Sequence, residues 1–175
     1  TPVKTYLSNF LKSFIPFGFP TRKLIPLLMM LLIEGISATM IGSYAGFLIV
    51  DVGAAKSVDE AGSYSGWLSS AFSMAQFFSS FVIGALSDNL GRRPMLLLGT
   101  FGIALTNILF GFSFNFYYCI AVRLLNGVLN GNIGVVKTYM GEITTAQNRV
   151  QTMGLIGLAW SVGSVVGNFL GGMLY

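Results

Sequence analysis

The sequence predicts an all-α integral membrane protein with five transmembrane helices, and three observations predict it. The 175 residues are 54% hydrophobic and only 9% charged, whereas soluble proteins carry about 25% charged residues. The mean hydropathy is +0.74, and 22 glycines suit helices packed in lipid, where small residues let backbones approach. The apolar residues also fall into five runs, each long enough to cross a hydrocarbon core of about 30 Å.

The same composition excludes other classes. A net charge of +4 from ten basic residues, tied to the ends of the apolar runs, is no nucleic-acid footprint. The single cysteine, Cys119, leaves no intrachain disulfide, and with no histidine any proton chemistry must use carboxylates. No nucleophile and base pair, metal cluster or phosphate-cradling loop is present, so neither enzyme activity nor a cofactor is expected.

Residues 1–23 form a cytosolic or interfacial lead segment. Leu7, Phe10, Leu11 and Phe14 have helical spacing, Pro16 and Pro20 end the pattern, and Lys4, Lys12, Arg22 and Lys23 supply charge, a combination that can lie on a lipid surface. It lacks the compact apolar run before a small-residue site that a signal peptide needs. The transmembrane bundle then covers 24–175. Span one runs over 24–50 and ends in a polar loop with Asp51, Lys56, Asp59 and Glu60. Span two covers 66–86 and span three 95–112, on either side of the polar stretch GALSDNLGRRPM at 84–95. A turn at 113–116 leads to span four, 117–140. A polar connection at 142–151 leads to span five, 152–175.

In the polar stretch, Gly91 permits a turn that a residue with a side chain resists, and Pro94 suits the first turn of the next helix. Asp88 lies within reach of Arg92 and Arg93, which predicts a compact charge cluster at the membrane surface. Inside the spans, polar residues reveal which face turns inward. Ser69, Ser73, Gln76, Ser80, Gly84 and Ser87 share a stripe of span two, and Arg123, Asn126, Asn130 and Lys137 a stripe of span four. Both suit a polar cavity, although hydrogen bonding to neighbouring helices would give the same pattern. Glu34 is the only acid within a span and Arg123 the only base deep within one, at similar depth. Each alone would cost about 2.5 to 3.5 kcal/mol to insert, so they are expected to pair across the cavity and to serve as a proton or substrate switch. A static pair is the alternative, as is a snorkelling Arg123 with Glu34 bonded to hydroxyls such as Ser37. Orientation follows from the basic residues. Eight of them (Lys4, Lys12, Arg22, Lys23, Arg92, Arg93, Lys137 and Arg149) collect on one side and Lys56 alone on the other, which places the N-terminus and the 84–95 loop in the cytosol.

The loop spacing G-x-L-x-D-x-x-G-R-R-x-x-L resembles the signature between the second and third helices of the major facilitator superfamily of transporters; Gly84, Leu86, Asp88, Gly91, Arg92, Arg93 and Leu96 all match. The R-L-L-N-G run from Arg123 to Gly127 is similar to that family's fourth-helix pattern, with Asn126 where glutamine is usual. Y-M-G-E-I from Tyr139, followed by Arg149, resembles its helix-end acid and later arginine, which would bring Glu142 and Arg149 into one network with Asp88, Arg92 and Arg93. Gly163, Gly167 and Gly171 repeat at four-residue spacing after Gly154, so another helix can approach that face. The ladder resembles the fifth-helix motif of the family's antiporters, with Asn168 in the place of its proline, and a plain packing face is the other reading.

The resemblance implies an incomplete six-helix half-bundle, the N-terminal half of a twelve-helix carrier. The sequence is then a fragment, a truncated gene or a short isoform whose C-terminal half completes the cavity. The implied function is secondary transport of a small-molecule substrate by alternating access, proton-coupled, with drug or metabolite antiport ahead of sugar uptake. A non-transporting half-carrier or sensor that modulates a full-length partner is the alternative. The expected partners are the lipid bilayer, the solute and protons.

Overall fold

The computed structural model describes residues 21–146 and 148–174, so the lead segment expected before Thr21 lies outside the described residues. The described residues form six helices: α1 Thr21–Asp51, α2 Val58–Leu90, α3 Arg92–Gly111, α4 Phe116–Leu129, α5 Asn132–Ile143 and α6 Arg149–Met173. They make five membrane-length units, because α4 and α5 run in succession over 116–143. Phe77, Phe78, Phe81, Leu97, Phe101, Ile108, Val165 and Phe169 project outward and exposed. In water such a surface would be an aggregation hazard; against hydrocarbon it is the expected outer face.

α2 begins at Val58, eight residues before the hydropathy of span two rises. Local capping explains the extension. The Ser57 hydroxyl accepts from the Glu60 N–H at 3.3 Å, and the Glu60 carboxylate reaches back to the Lys56 N–H at 3.0 Å, a close variant of the capping box. Asp59 and Glu60 also place negative charge in the first turn, where the helix dipole favours it. At its other end α2 is separated from α3 by Gly91 alone, which adopts φ +95° and ψ 155°. That region is essentially reserved for glycine, so the sharp reversal depends on this residue.

Span four departs from the continuous helix expected over 117–140. α4 stops at Leu129, Asn130 takes φ −98° and ψ 85°, and α5 restarts at Asn132. A Cβ at Gly131 would lie 2.6 Å from the Ile83 side chain, so α2 presses on the break where only a hydrogen atom fits.

Two close helix pairs carry the packing: α1 with α6, and α2 with α4. Along the first, Gly163, Gly167 and Gly171 rest against the carbonyl oxygens of Leu32, Ile36 and Met40, while Gly35 faces the Trp160 carbonyl. Dispersion and close backbone approach, rather than expulsion of water, hold helices together in lipid, and glycine gives the closest approach. α6 runs unbroken through Asn168, whose side-chain oxygen accepts from the Ser43 hydroxyl at 2.9 Å. In the second pair, the Ser79 hydroxyl donates to the Gly127 carbonyl at 2.9 Å. Buried apolar residues gather in two clusters. One contains Leu24, Leu27, Leu31, Met95, Leu96, Val136 and Met140. The other contains Ile41, Ile49, Leu68, Phe110, Cys119 and Val122. On α1, Glu34 falls between the two; so do Asn126 of α4 and Asn130 just past its end. The bundle therefore holds a polar layer between two apolar ones.

Candidate functional site

A cavity of about 140 Å³ occupies this polar layer, lined among others by Glu34 and Ser37 of α1, Ser69, Phe72 and Ser73 of α2, Asn107 of α3 and Arg123 and Asn126 of α4, with Asn130 at the break. The glycine contacts of α6 seat α1, and the Gly127 contact of α2 seats α4, so two backbone-to-backbone interfaces fix the two helices that supply the charges.

Glu34 is 2% exposed, and neither carboxyl oxygen has a hydrogen bond of ordinary geometry; the polar group bearing on it is the Asn130 side chain. Arg123 is 7% exposed, its guanidinium carbon 5.6 Å from the centre of the Phe72 ring and 5.4 Å from that of Phe110. Attraction to the two ring faces offsets part of the cost of burying the cation. Its Nε lacks a hydrogen-bond partner, as do the side-chain oxygens of Asn107 and Asn130. The expected Glu34–Arg123 ion pair does not form. Among the described residues, the ion pairs within 4.0 Å are Arg92 with Asp88 and Arg92 with Glu142. The aromatic rings hold the guanidinium, and the two charges share the cavity without meeting.

Five members of the expected stripes fall elsewhere: Ser80, Gly84 and Ser87 line the small cleft beside Asp88 and Arg92, and Gln76 and Lys137 also leave the cavity. Gln76 is half-buried and does not line the cavity; its main chain packs where a Cβ on Gly127 would otherwise stand. Lys137 is exposed and lines a separate cleft with Met153 and Trp160. The break at Asn130 and Gly131 resets the helical phase, so a 3.6-residue period counted from Arg123 does not carry through to Lys137. Conversely, Asn107 escaped the sequence reading. As the one amide side chain of span three, it was open to the same scan of polar residues applied to spans two and four.

A second polar assembly sits at the end of α2. Arg92 bonds the Asp88 carboxylate at 2.6 Å and the Glu142 carboxylate at 2.6 and 3.2 Å, and also contacts the buried Ser87 hydroxyl. One guanidinium thereby ties the end of α2 and the start of α3 to the end of α5. Arg93, expected in this network, instead lines a cleft with Lys23, Met29 and Leu97. Arg149 also stays outside, its Nη2 donating to the Gly141 carbonyl at 3.4 Å. A cation there complements the C-terminal end of α5 without needing the Glu142 carboxylate. Gly84 lines the small cleft beside Asp88 and Arg92. No group of three or more metal-binding side chains occurs among the described residues.

The sequence model of one family, the Major Facilitator Superfamily, matches residues 27–175. The chain is similar to Protein ZINC INDUCED FACILITATOR 1 of Arabidopsis thaliana, with 32% identity over 90% of this chain and 32% of the relative. It is equally similar to the multidrug transporter mfsB of Aspergillus fumigatus, with 32% identity over 90% of this chain and 26% of that protein. Major facilitator superfamily domain-containing protein 10 of Mus musculus is 35% identical over 63% of this chain and 24% of its own length. The chain thus spans about a third or less of the curated relatives it matches. No solved structure matches it.

Proposed function

The chain belongs to the Major Facilitator Superfamily, and from that premise we propose that it is the N-terminal half of a secondary active transporter, moving a small solute by alternating access in a proton-coupled antiport. Membership puts the chain among transporters rather than enzymes. One observation carries the rest: a carboxylic acid and a guanidinium, both buried and unpaired, line one polar cavity in a bundle whose outer face is apolar. Charge that deep in a membrane protein is expensive, and it is retained where ions or solutes pass.

In this reading Glu34 carries the coupling proton, because among the described residues it is the one carboxylate lining the cavity. Arg123, Asn126 and Asn130 face the solute. The Arg92 assembly acts as a latch at the cytosolic end, stabilising one of the two access states without touching solute. Antiport draws its support from the glycine ladder of α6 and from its resemblance to the antiporter motif. The test uses the full-length parent in proteoliposomes. Glu34→Gln should abolish the dependence of transport on a proton gradient while some solute exchange survives. Undiminished proton-driven accumulation by that variant would remove Glu34 from the mechanism.

A further inference from the structure

We propose that the solute of the central cavity is a small zwitterion bearing a primary ammonium and a carboxylate, as a small amino acid does, with its carboxylate on Arg123 and its ammonium on Glu34. The proposal rests on the reading that this cavity holds the transported solute, and names its class.

The charges make the first argument. Among the described residues Glu34 and Arg123 are the only charged ones lining the cavity, they are opposite in sign, and neither forms an ion pair with the other or with any described residue. While Glu34 is ionised, a singly charged solute would satisfy one and leave the other buried and alone, an arrangement much worse than a closed pair. A zwitterion closes both at once and adds no net charge to the layer. The count of acceptors makes the second. A primary ammonium has three N–H donors, and three groups here hold buried oxygens without an ordinary hydrogen bond: the Glu34 carboxyl, Asn107 Oδ1 and Asn130 Oδ1. The guanidinium of Arg123 offers a fork of donors that matches a carboxylate, and its Nε is without a partner. Size makes the third. The walls contributed by this chain border about 140 Å³. That is far more than the roughly 10–15 Å³ that admits one water, so a small solute fits beside the two charges.

The same geometry ties solute to coupling. A proton on Glu34 removes the charge that the ammonium needs, so proton and solute exclude one another at one carboxylate. Mutual exclusion at a shared site is what exchange of one for the other requires.

The experiment measures uptake of radiolabelled glycine, L-alanine and β-alanine by the full-length carrier in proteoliposomes, beside propionate and ethylamine as singly charged analogues. At least one zwitterion should be taken up saturably, with both analogues well behind. Glu34→Gln and Arg123→Gln should each weaken apparent affinity for it by about tenfold or more, the scale of a lost hydrogen bond to a charged group. Asn107→Ala leaves both charges in place and should weaken it less, which keeps the proposal testable if a charge variant fails to fold. Uptake of propionate that depends on Arg123 but not Glu34, or of ethylamine with the reverse dependence, overturns the zwitterion. So does zwitterion uptake indifferent to all three residues, and so does the absence of uptake of any of the five compounds. The assignment of the coupling proton to Glu34 fails on a separate readout, the survival of proton-driven accumulation in Glu34→Gln.

Discussion

Consecutive residues on an α-helix point about 100° apart, and that angle separates Arg92 from Arg93. Arg92 faces Ser87, Asp88 and Glu142, whereas Arg93 turns to the cleft beside Lys23 and Leu97. In the full-length carrier, Arg92→Ala and Asp88→Asn should therefore depress maximal transport several-fold, while apparent affinity stays within a few-fold, because a latch shifts populations without contacting solute. Arg93→Ala should keep maximal transport within about twofold, since a solvated rim charge contributes little. Initial rates over a range of solute concentrations separate these outcomes, and equal losses from Arg92→Ala and Arg93→Ala would sink the latch. At this scale the sequence exposed the charged residues plainly, because Glu34 and Arg123 interrupt apolar runs. It did not expose their partners. Spacing brings Arg92 and Arg93 equally near Asp88, and only the placement of α5 shows that Glu142 meets one of them.

Among the helices, α6 shows how far a glycine's neighbours decide its importance. A Cβ at Gly163 would strike the Leu32 carbonyl, whereas one at Gly157 would meet nothing within 4 Å. Gly163→Ala should therefore force α1 and α6 apart and lower thermal stability in detergent, by about 1–3 kcal/mol on the scale of overpacked cores. Gly157→Ala should be neutral or slightly stabilising, by up to about 1 kcal/mol, because alanine favours helix. A comparable loss from both substitutions would show that the ladder is not a contact face. The five spans were readable because lipid demands long apolar runs with internally satisfied backbones. The break in span four was not. Gly131 sits between Asn130 and Asn132 with no proline nearby; the Asn-Gly pair is a turn signal that the helical spacing on either side outweighed, and the small size of Gly131 matters because Ile83, 48 residues earlier, presses on it. The early start of α2, by contrast, was written locally in Ser57 and Glu60.

For the molecule as a whole, the basic residues predict that the α1–α2 loop and the α2–α3 junction lie on opposite faces of the membrane. Single cysteines at Ser57 and Asn89 should be labelled by an impermeant reagent from opposite sides; Cys119, the native cysteine, is buried. Labelling of both from one side would overturn the orientation. The layered interior has a similar logic. Apolar clusters lie on either side of the Glu34 layer, so a charge there is screened less than in bulk water and acts more strongly on whatever enters. The interface between α1 and α6 has a further consequence, for heredity. On one side it needs glycine at 163, 167 and 171; on the other it uses the carbonyl oxygens of Leu32, Ile36 and Met40. Every amino acid carries that oxygen. At these three contacts the residue type is dictated by α6, so substitutions at 32, 36 and 40 can accumulate without loosening them, whereas a single codon change at any of the three glycines opens the interface; on α1 the same constraint falls on Gly35, which faces the Trp160 carbonyl, and on Thr39 and Ser43, whose side chains pack on Gly167 and Gly171. A saturation scan of the six positions should show that asymmetry, with 32, 36 and 40 open to drift and the three glycines closed.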